Sequence, residues 1–347
     1  MIDLAAKNWR SMARRSRYSR AVIGRYPTPV QFLAGASTSR TELWVKRDDL
    51  TSDIYGGNKV RKLEHILETA RARGARRVVT FGTAGSHQAL ATTVHARRAG
   101  FEVAAILTPQ PRSEYAVGNL RAGLALGLRA IAAPSLAAVP LVLARVVRRG
   151  DFIVEPGGSS VTGTLGYVDA AFELDEQVRS GALPRPDAIV VPLGSGGTAS
   201  GLLAGIVALG LETNVIGVRI VGPALMGKGR VLWLAVRALR RRGLPIELGA
   251  LAKKLKIERG YLGRGYGYPT GEGDRATETA AREGLCLDAT YTAKTFAAAL
   301  DLVERAVFRR ILYWHTLSSA PLAHALAQPL ESTPELPLEL ESLFTSK

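Results

Sequence analysis

The chain has 347 residues, 47% of them apolar, with one cysteine and a formal net charge of +16. That length suits two compact units sharing a cleft rather than one minimal domain. The absence of any run of eighteen or more uncharged apolar residues excludes a membrane-spanning helix. The single cysteine, Cys286, excludes an internal disulfide and a multi-cysteine metal site, and a reducing cytoplasm is the expected compartment.

The positive charge could serve nucleic acid or an anionic surface. Yet the arginines are spread along Ala/Leu-rich stretches at 71–77, 145–149 and 237–242. No stacking aromatics are interleaved with them, and no helix-turn-helix or zinc-finger pattern appears. They read as solvated helix faces, and neither a nucleic-acid nor a membrane partner is expected.

In chain order, residues 1–25 are basic and poor in acids, faintly like a transit peptide. They lack the apolar core and cleavage site of a secretory signal and read as part of the mature chain. After Gly56-Gly57-Asn58-Lys59, the residues Val60, Leu63, Ile66, Leu67 and Ala70 recur at helical spacing, which predicts a helix starting near Lys59 with Asn58 as N-cap. Residues 77–81 predict a strand and 86–99 a helix, then 102–107 a strand and 115–126 a helix. Strands follow at 129–132 and 152–154. Pro184 and Pro186 precede a strand at 188–193, a glycine loop and a helix over 198–209. Strands at 215–221 and 310–315 complete the set. Alternating units of this kind predict an α/β fold of open, twisted, mostly parallel sheets, with ligands bound at the carboxyl ends of strands.

Three segments carry candidate chemistry. Lys59 sits where a helix N-terminus disfavours an ammonium, and desolvation and the cation of Lys62 would push its pKa down as well, which is how a nucleophilic amine is obtained. A solvated surface lysine is the competing reading. Gly194-Ser195-Gly196-Gly197-Thr198 lies between a strand and a helix, where successive backbone N–H groups make an anion cradle. It lacks the Gly-Lys-Ser/Thr ending of a Walker loop. Ala199 stands where a dinucleotide loop has its third glycine. A short phosphate monoester suits it better than a dinucleotide; a glycine loop used only for packing is the alternative. The third signal is a pair: Tyr266, whose flanking glycines give it no packing wall and argue against a simple core residue, and Tyr291 in the polar turn Asp288-Ala289-Thr290-Tyr291-Thr292, of either active-site or hydrogen-bonding core character.

Together with Lys46-Arg47-Asp48-Asp49-Leu50 and Pro156-Gly157-Gly158-Ser159, these motifs resemble the 1-aminocyclopropane-1-carboxylate (ACC) deaminase and D-cysteine desulfhydrase family of pyridoxal 5'-phosphate (PLP) enzymes, over about 27–320. The resemblance implies the tryptophan-synthase-β-like fold type II, with a small domain at 60–170 inserted into a larger one formed by 1–59 and 171–347, and a homodimer. It implies that Lys59 carries PLP as a Schiff base and shuttles the α-proton. Lys62 with Gly194, Ser195, Gly196, Gly197 and Thr198 would bind the phosphate, and Thr292 would face the pyridine nitrogen. Ser86, Tyr266 and Tyr291 would join Lys59 in catalysis, with Ser86, His87, Gln88, Gly158 and Thr316 at the substrate; His87 would also lie near the cofactor ring. No metal is implied.

The substrate would be a small amino acid. ACC deaminases place glutamate and leucine at positions 292 and 316; two threonines here favour α,β-elimination, as from D-cysteine. ACC deaminase, cysteate sulfo-lyase and a biosynthetic β-replacement enzyme are the rivals. Several positions depart from the family pattern: Gly85 and His87 replace glutamine and asparagine, Leu90 stands near a usual arginine, and Leu317-Ser318-Ser319 replaces a glycine pair.

Overall fold

The computed structural model describes residues 21–222 and 227–345, so most of the basic 1–25 stretch lies outside the described residues. A six-stranded sheet runs in the spatial order Val30–Phe32, Glu42–Arg47, Arg310–His315, Ala188–Leu193, Asn214–Arg219, Leu255–Glu258. Its first pair is antiparallel and the remaining pairs are parallel. Ala188–Leu193 is buried throughout, the pattern of a strand covered on both faces. A four-stranded parallel sheet runs Leu128–Ala132, Glu102–Thr108, Arg77–Thr83, Phe152–Val154.

The strands expected from apolar runs are present to within a residue or two. Val30–Phe32, Glu42–Arg47 and Leu255–Glu258 are additional. In Glu42–Arg47 the charged Lys46 takes a fully buried place, which hides the strand's alternation from a hydrophobicity pattern.

The expected division at 170 falls inside the helix Val161–Arg179, whose Leu165, Val168 and Leu174 join the larger sheet's core. The C-terminal segment departs further. Ala325, Leu340 and Leu343 pack into the smaller sheet's core, and Phe344–Thr345 pairs with Gln110–Pro111. Short proline-broken pieces carry too little periodicity to reveal which core they cover.

A buried ionic network fastens the Lys59–Ala72 helix to the larger unit. Asp48 accepts from Arg61 Nε (2.9 Å) and Nη2 (2.8 Å), from the Tyr167 hydroxyl and the Trp314 indole (2.7 Å each), and from Thr28 Oγ1 (2.9 Å). Glu173 accepts from Arg61 Nη1 at 2.8 Å and from Lys46 Nζ at 2.5 Å. Burial would raise the Glu173 carboxyl, but Arg61 and Lys46 outweigh it and hold the group down at about 2.

Candidate active site

A cavity of about 510 Å³ opens where the parallel strands of both sheets end. Its lining includes Thr83 and Thr108 from the smaller sheet and Gly194 and Thr316 from just beyond strands of the larger. These are carboxyl ends, where the topology of open α/β sheets puts ligands.

Lys59 begins its helix and lines this cavity. Burial lowers its pKa to about 8, with Asp288 opposing the shift. Asn58 occupies the expected N-cap position, but its side chain does not cap. Its Oδ1 accepts from Lys59 Nζ at 2.9 Å and its Nδ2 donates to Thr198 Oγ1 at 3.0 Å, so it joins the amine to the glycine loop. The approach to Lys59 is tight: Gly57 has φ of 85°, and a Cβ there would lie 2.7 Å from the Thr316 carbonyl oxygen. The Ser318 hydroxyl accepts from Gly56 N–H at 2.8 Å, and Ser319 donates to Asp49 at 2.6 Å. The serines that replace the family's glycine pair thus tie down the lysine loop.

Lys62, one turn on, is fully buried and lines the same cavity. It donates to Gly157 O (3.0 Å) and Ser159 Oγ (3.3 Å), and among the described residues no carboxylate pairs with it. Beside it, Gly196, with φ of 88°, leads into the helix Gly197–Ala208. Gly194, Ser195, Gly196 and Thr198 line the cavity, while the N–H of Gly197 donates to Ser159 Oγ at 3.0 Å and holds the two glycine loops together. From the second glycine loop Pro156 and Gly157 line the cavity, and the expected Gly158 is not among the lining residues.

On the opposite wall, Ser86 caps the helix His87–Arg98, accepting from Ala89 N–H at 3.3 Å. Ser86, His87 and Gln88 all line the cavity. A Cβ on Gly85 would lie 2.4 Å from Ala116 Cα, so a glutamine has no room there. Leu90 is core, not cavity. The hydroxyls of Tyr266 and Tyr291 are 2.5 Å apart, and burial raises the pKa of both. Lys294 fixes the Tyr266 loop by donating to the carbonyls of Leu262 (2.8 Å) and Gly265 (3.0 Å).

Thr292 departs from expectation. It is fully buried and lies outside the lining, with its hydroxyl donating to Asp288 Oδ2 at 2.7 Å and accepting from Asp288 N–H at 2.7 Å. The helix-start turn spends the hydroxyl on its own backbone and cap. Asp288 lines the cavity in its place, with its oxygens holding the N–H groups of Thr290, Tyr291 and Thr292 besides that hydroxyl. Sequence reasoning quoted Asp288 without a role. It missed Tyr55 and Asn119, whose signals lie in spatial neighbours alone, and quoted Ser159 only as part of the second glycine loop.

A buried lysine with no carboxylate partner among the described residues, its pKa brought well down by burial, favours an anion, and beside a glycine loop at a helix start it fits a phosphate monoester. A second, partly buried amine close by, with its pKa brought down, fits attachment of an aldehyde. The residues present therefore suit PLP, and fold and site define a two-sheet α/β enzyme built around that cofactor.

Residues 23–311 match the family of pyridoxal-phosphate dependent enzymes, and the chain belongs to that family. It is 33% identical over 321 residues to a provisionally named ACC deaminase of Pyrococcus furiosus, covering 87% of this chain and 92% of that protein. It is 34% identical over 313 residues to the nocardicin C-9' epimerase of Nocardia uniformis subsp. tsuyamanensis, covering 84% and 90%. The crystal structure of an ACC deaminase homologue superposes with a TM-score of 0.78 at 28% identity, covering 96% of this chain and 98% of that one. The fold is that of the type II PLP enzymes.

Proposed function

We propose that the protein is a deaminating lyase that eliminates a β-leaving group from a small amino acid such as D-cysteine, giving a 2-oxo acid and ammonia. The observation that supports this most is the wall at Asp288 and Thr316. Position 292 offers the cavity no carboxylate, Asp288 has its oxygens committed to four donors, and Thr316 presents a hydroxyl rather than an aliphatic chain. A weakly protonated cofactor ring tolerates loss of a good leaving group better than cleavage of a cyclopropane carbon–carbon bond.

When bound, PLP supplies the electron sink for the carbanion. In this reading Lys59 attaches the cofactor and, as a free amine during turnover, takes the α-proton at Nζ. Lys62 and the loop of Gly194, Ser195, Gly196 and Thr198 hold the phosphate, with Gly197 keeping the loop against Ser159. The start of the His87–Arg98 helix, with Ser86, receives the substrate carboxylate. Burial keeps the Tyr266–Tyr291 pair protonated, so it donates a proton to the departing sulfur instead of accepting one. The names of the relatives favour ring opening of ACC as a second reading.

The two readings separate when 2-oxo acid release is measured from D-cysteine, β-chloro-D-alanine, L-cysteate and ACC at matched concentrations. Release from β-chloro-D-alanine and D-cysteine is expected; turnover of ACC alone overturns the elimination reading.

A second expectation concerns Gly197. A Cβ there would lie 2.6 Å from Ser159 Oγ and 3.0 Å from Ser159 Cα, so Gly197→Val pushes the glycine loops apart. Overpacking of this kind costs about 1–3 kcal/mol, which, if borne by the bound state, corresponds to a loss of about five- to 150-fold in PLP affinity. Spectroscopic titration of the apoprotein measures it; unchanged affinity would remove the loop from the phosphate site.

A further inference from the structure

We infer that His87 is locked in the Nε2–H tautomer by Tyr55 and Asn119, making it a fixed donor to an anionic oxygen of the bound cofactor or substrate. This rests on the PLP reading above.

The lock follows from three contacts. His87 Nδ1 lies 2.8 Å from the Tyr55 hydroxyl and 3.3 Å from Asn119 Nδ2. The same Asn119 Nδ2 donates to the Gly85 carbonyl at 3.0 Å, which determines which end of the amide is nitrogen. An amide N–H therefore points at Nδ1 and would meet a second hydrogen if Nδ1 were protonated. Nδ1 must accept, the buried Tyr55 hydroxyl donates to it as well, and the ring proton is left on Nε2.

The other nitrogen lacks what the first has. His87 lines the cavity, yet its Nε2 is shielded from solvent and has no hydrogen-bond partner among the described residues. An unpaired buried N–H costs free energy unless a ligand completes it. The ring cannot easily turn away, because it stacks on Tyr115 with parallel planes and centroids 5.5 Å apart, and meets Tyr291 edge-on at 6.2 Å. Tyr115 is in turn held by a 2.6 Å bond to Thr290.

The charged groups that act on the ring are Asp288 and Lys59, which oppose each other, while burial lowers the imidazole pKa. The neighbouring phenols Tyr55, Tyr115 and Tyr291 stay protonated. A neutral imidazole with a fixed N–H matches an oxygen that carries negative charge, either the cofactor's ring oxygen or the substrate carboxylate. Both are acceptors of the same kind, and the two sources respond differently to variants.

Nitrogen-15 NMR of histidine-labelled protein, with the His87 signals identified by their loss in His87→Gln, reads the tautomer before and after PLP is loaded. Nε2–H with bare Nδ1 is expected in both states and unchanged around pH 6.5, where an ordinary histidine titrates. An Nδ1–H signal, or a titration near that pH, overturns the lock. Asn119→Asp, which puts an acceptor against Nδ1, is expected to move the proton to Nδ1; no movement also counts against it.

His87→Phe then locates the oxygen. A displaced cofactor absorption maximum without substrate, restored in His87→Asn, assigns it to the cofactor. An unchanged resting spectrum with Kd raised about tenfold for amino acids, but not for the matching amines lacking the carboxylate, assigns it to the substrate. If neither changes, the donor role is overturned. Failure of the protein to take up PLP defeats the functional reading by itself, and is told apart because the tautomer is also read on the unloaded chain.

Discussion

Lys59→Ala is expected to lower 2-oxo acid release by about 10³-fold, the scale of losing a positioned proton-transfer group. Borohydride treatment should then leave no pyridoxyl group on the Lys59–Ala72 helix, whereas in the parent chain the group should map to Lys59. The rival amine is Lys62, buried and in the same cavity, but it faces Gly157 and Ser159 rather than Asn58. Label on Lys62, or activity retained without Lys59, would reverse the two assignments.

A pH dependence accompanies this result. Burial brings the Lys59 amine from 10.5 to about 8, so its reactive neutral form becomes the majority above pH 8. The rate of covalent loading of apoprotein with PLP should rise with pH and reach its midpoint near that value. A midpoint near 10.5 would mean that the amine is solvated.

The second large effect is on stability. Asp48→Ala is expected to lower the unfolding free energy by about 3–5 kcal/mol, the usual loss when one partner of a buried pair is removed. Five donors converge on Asp48, and without it the Arg61 charge, the Tyr167 hydroxyl and the Trp314 indole lose a buried acceptor. Urea denaturation measures the change. Asp53→Ala serves as the control, since Asp53 pairs with Arg25 on the surface and its loss should matter little. An unchanged midpoint for Asp48→Ala would show that the network adds no stability.

Acid should attack the same network. Glu173 has its folded pKa depressed to about 2 against an ordinary 4.5. Its contribution is present in full above about 4.5 and is lost as pH falls towards 2. Because Arg61 lies two residues beyond Lys59, weakening of this network should also loosen the Lys59–Ala72 helix.

Some of the site was legible in the sequence because backbone geometry and local chemistry are local properties. Gly56-Gly57-Asn58-Lys59 before a 3.6-residue periodicity located the helix and its lysine. The 188–193 run followed by Gly194 and Gly196 located a strand, a glycine loop and a helix start, and the structure adds a positive φ at Gly196. Tyr266 and Tyr291, 25 residues apart, were each identifiable, but nothing local indicated that their hydroxyls would meet.

Departures from the family pattern show the opposite case. At position 85 the glycine follows from the approach of Ala116, 31 residues away, and Leu90 belongs to the smaller sheet's core. Ser318 and Ser319 were departures in the string of letters; in space they hold Gly56 and Asp49. Thr292, expected at the pyridine nitrogen, begins a helix that was not expected from the sequence, and its hydroxyl turns to Asp288 four residues earlier.

The sequence by itself determined the family, the alternation of strands and helices, and the segments that carry Lys59, Lys62, the glycine loop and the two tyrosines. Periodicity, turn chemistry and residue type act over a few neighbouring residues and are written directly in the chain. Tertiary structure alone decided the rest: the return of the C-terminal segment to the smaller sheet, the convergence on Asp48, the exclusion of Thr292 and Gly197 from the cavity, and the orientation of His87. Each of these depends on hydrogen bonds or packing between residues distant in sequence or competing for one partner. Such choices are settled only when the two sheets bring their strand ends together.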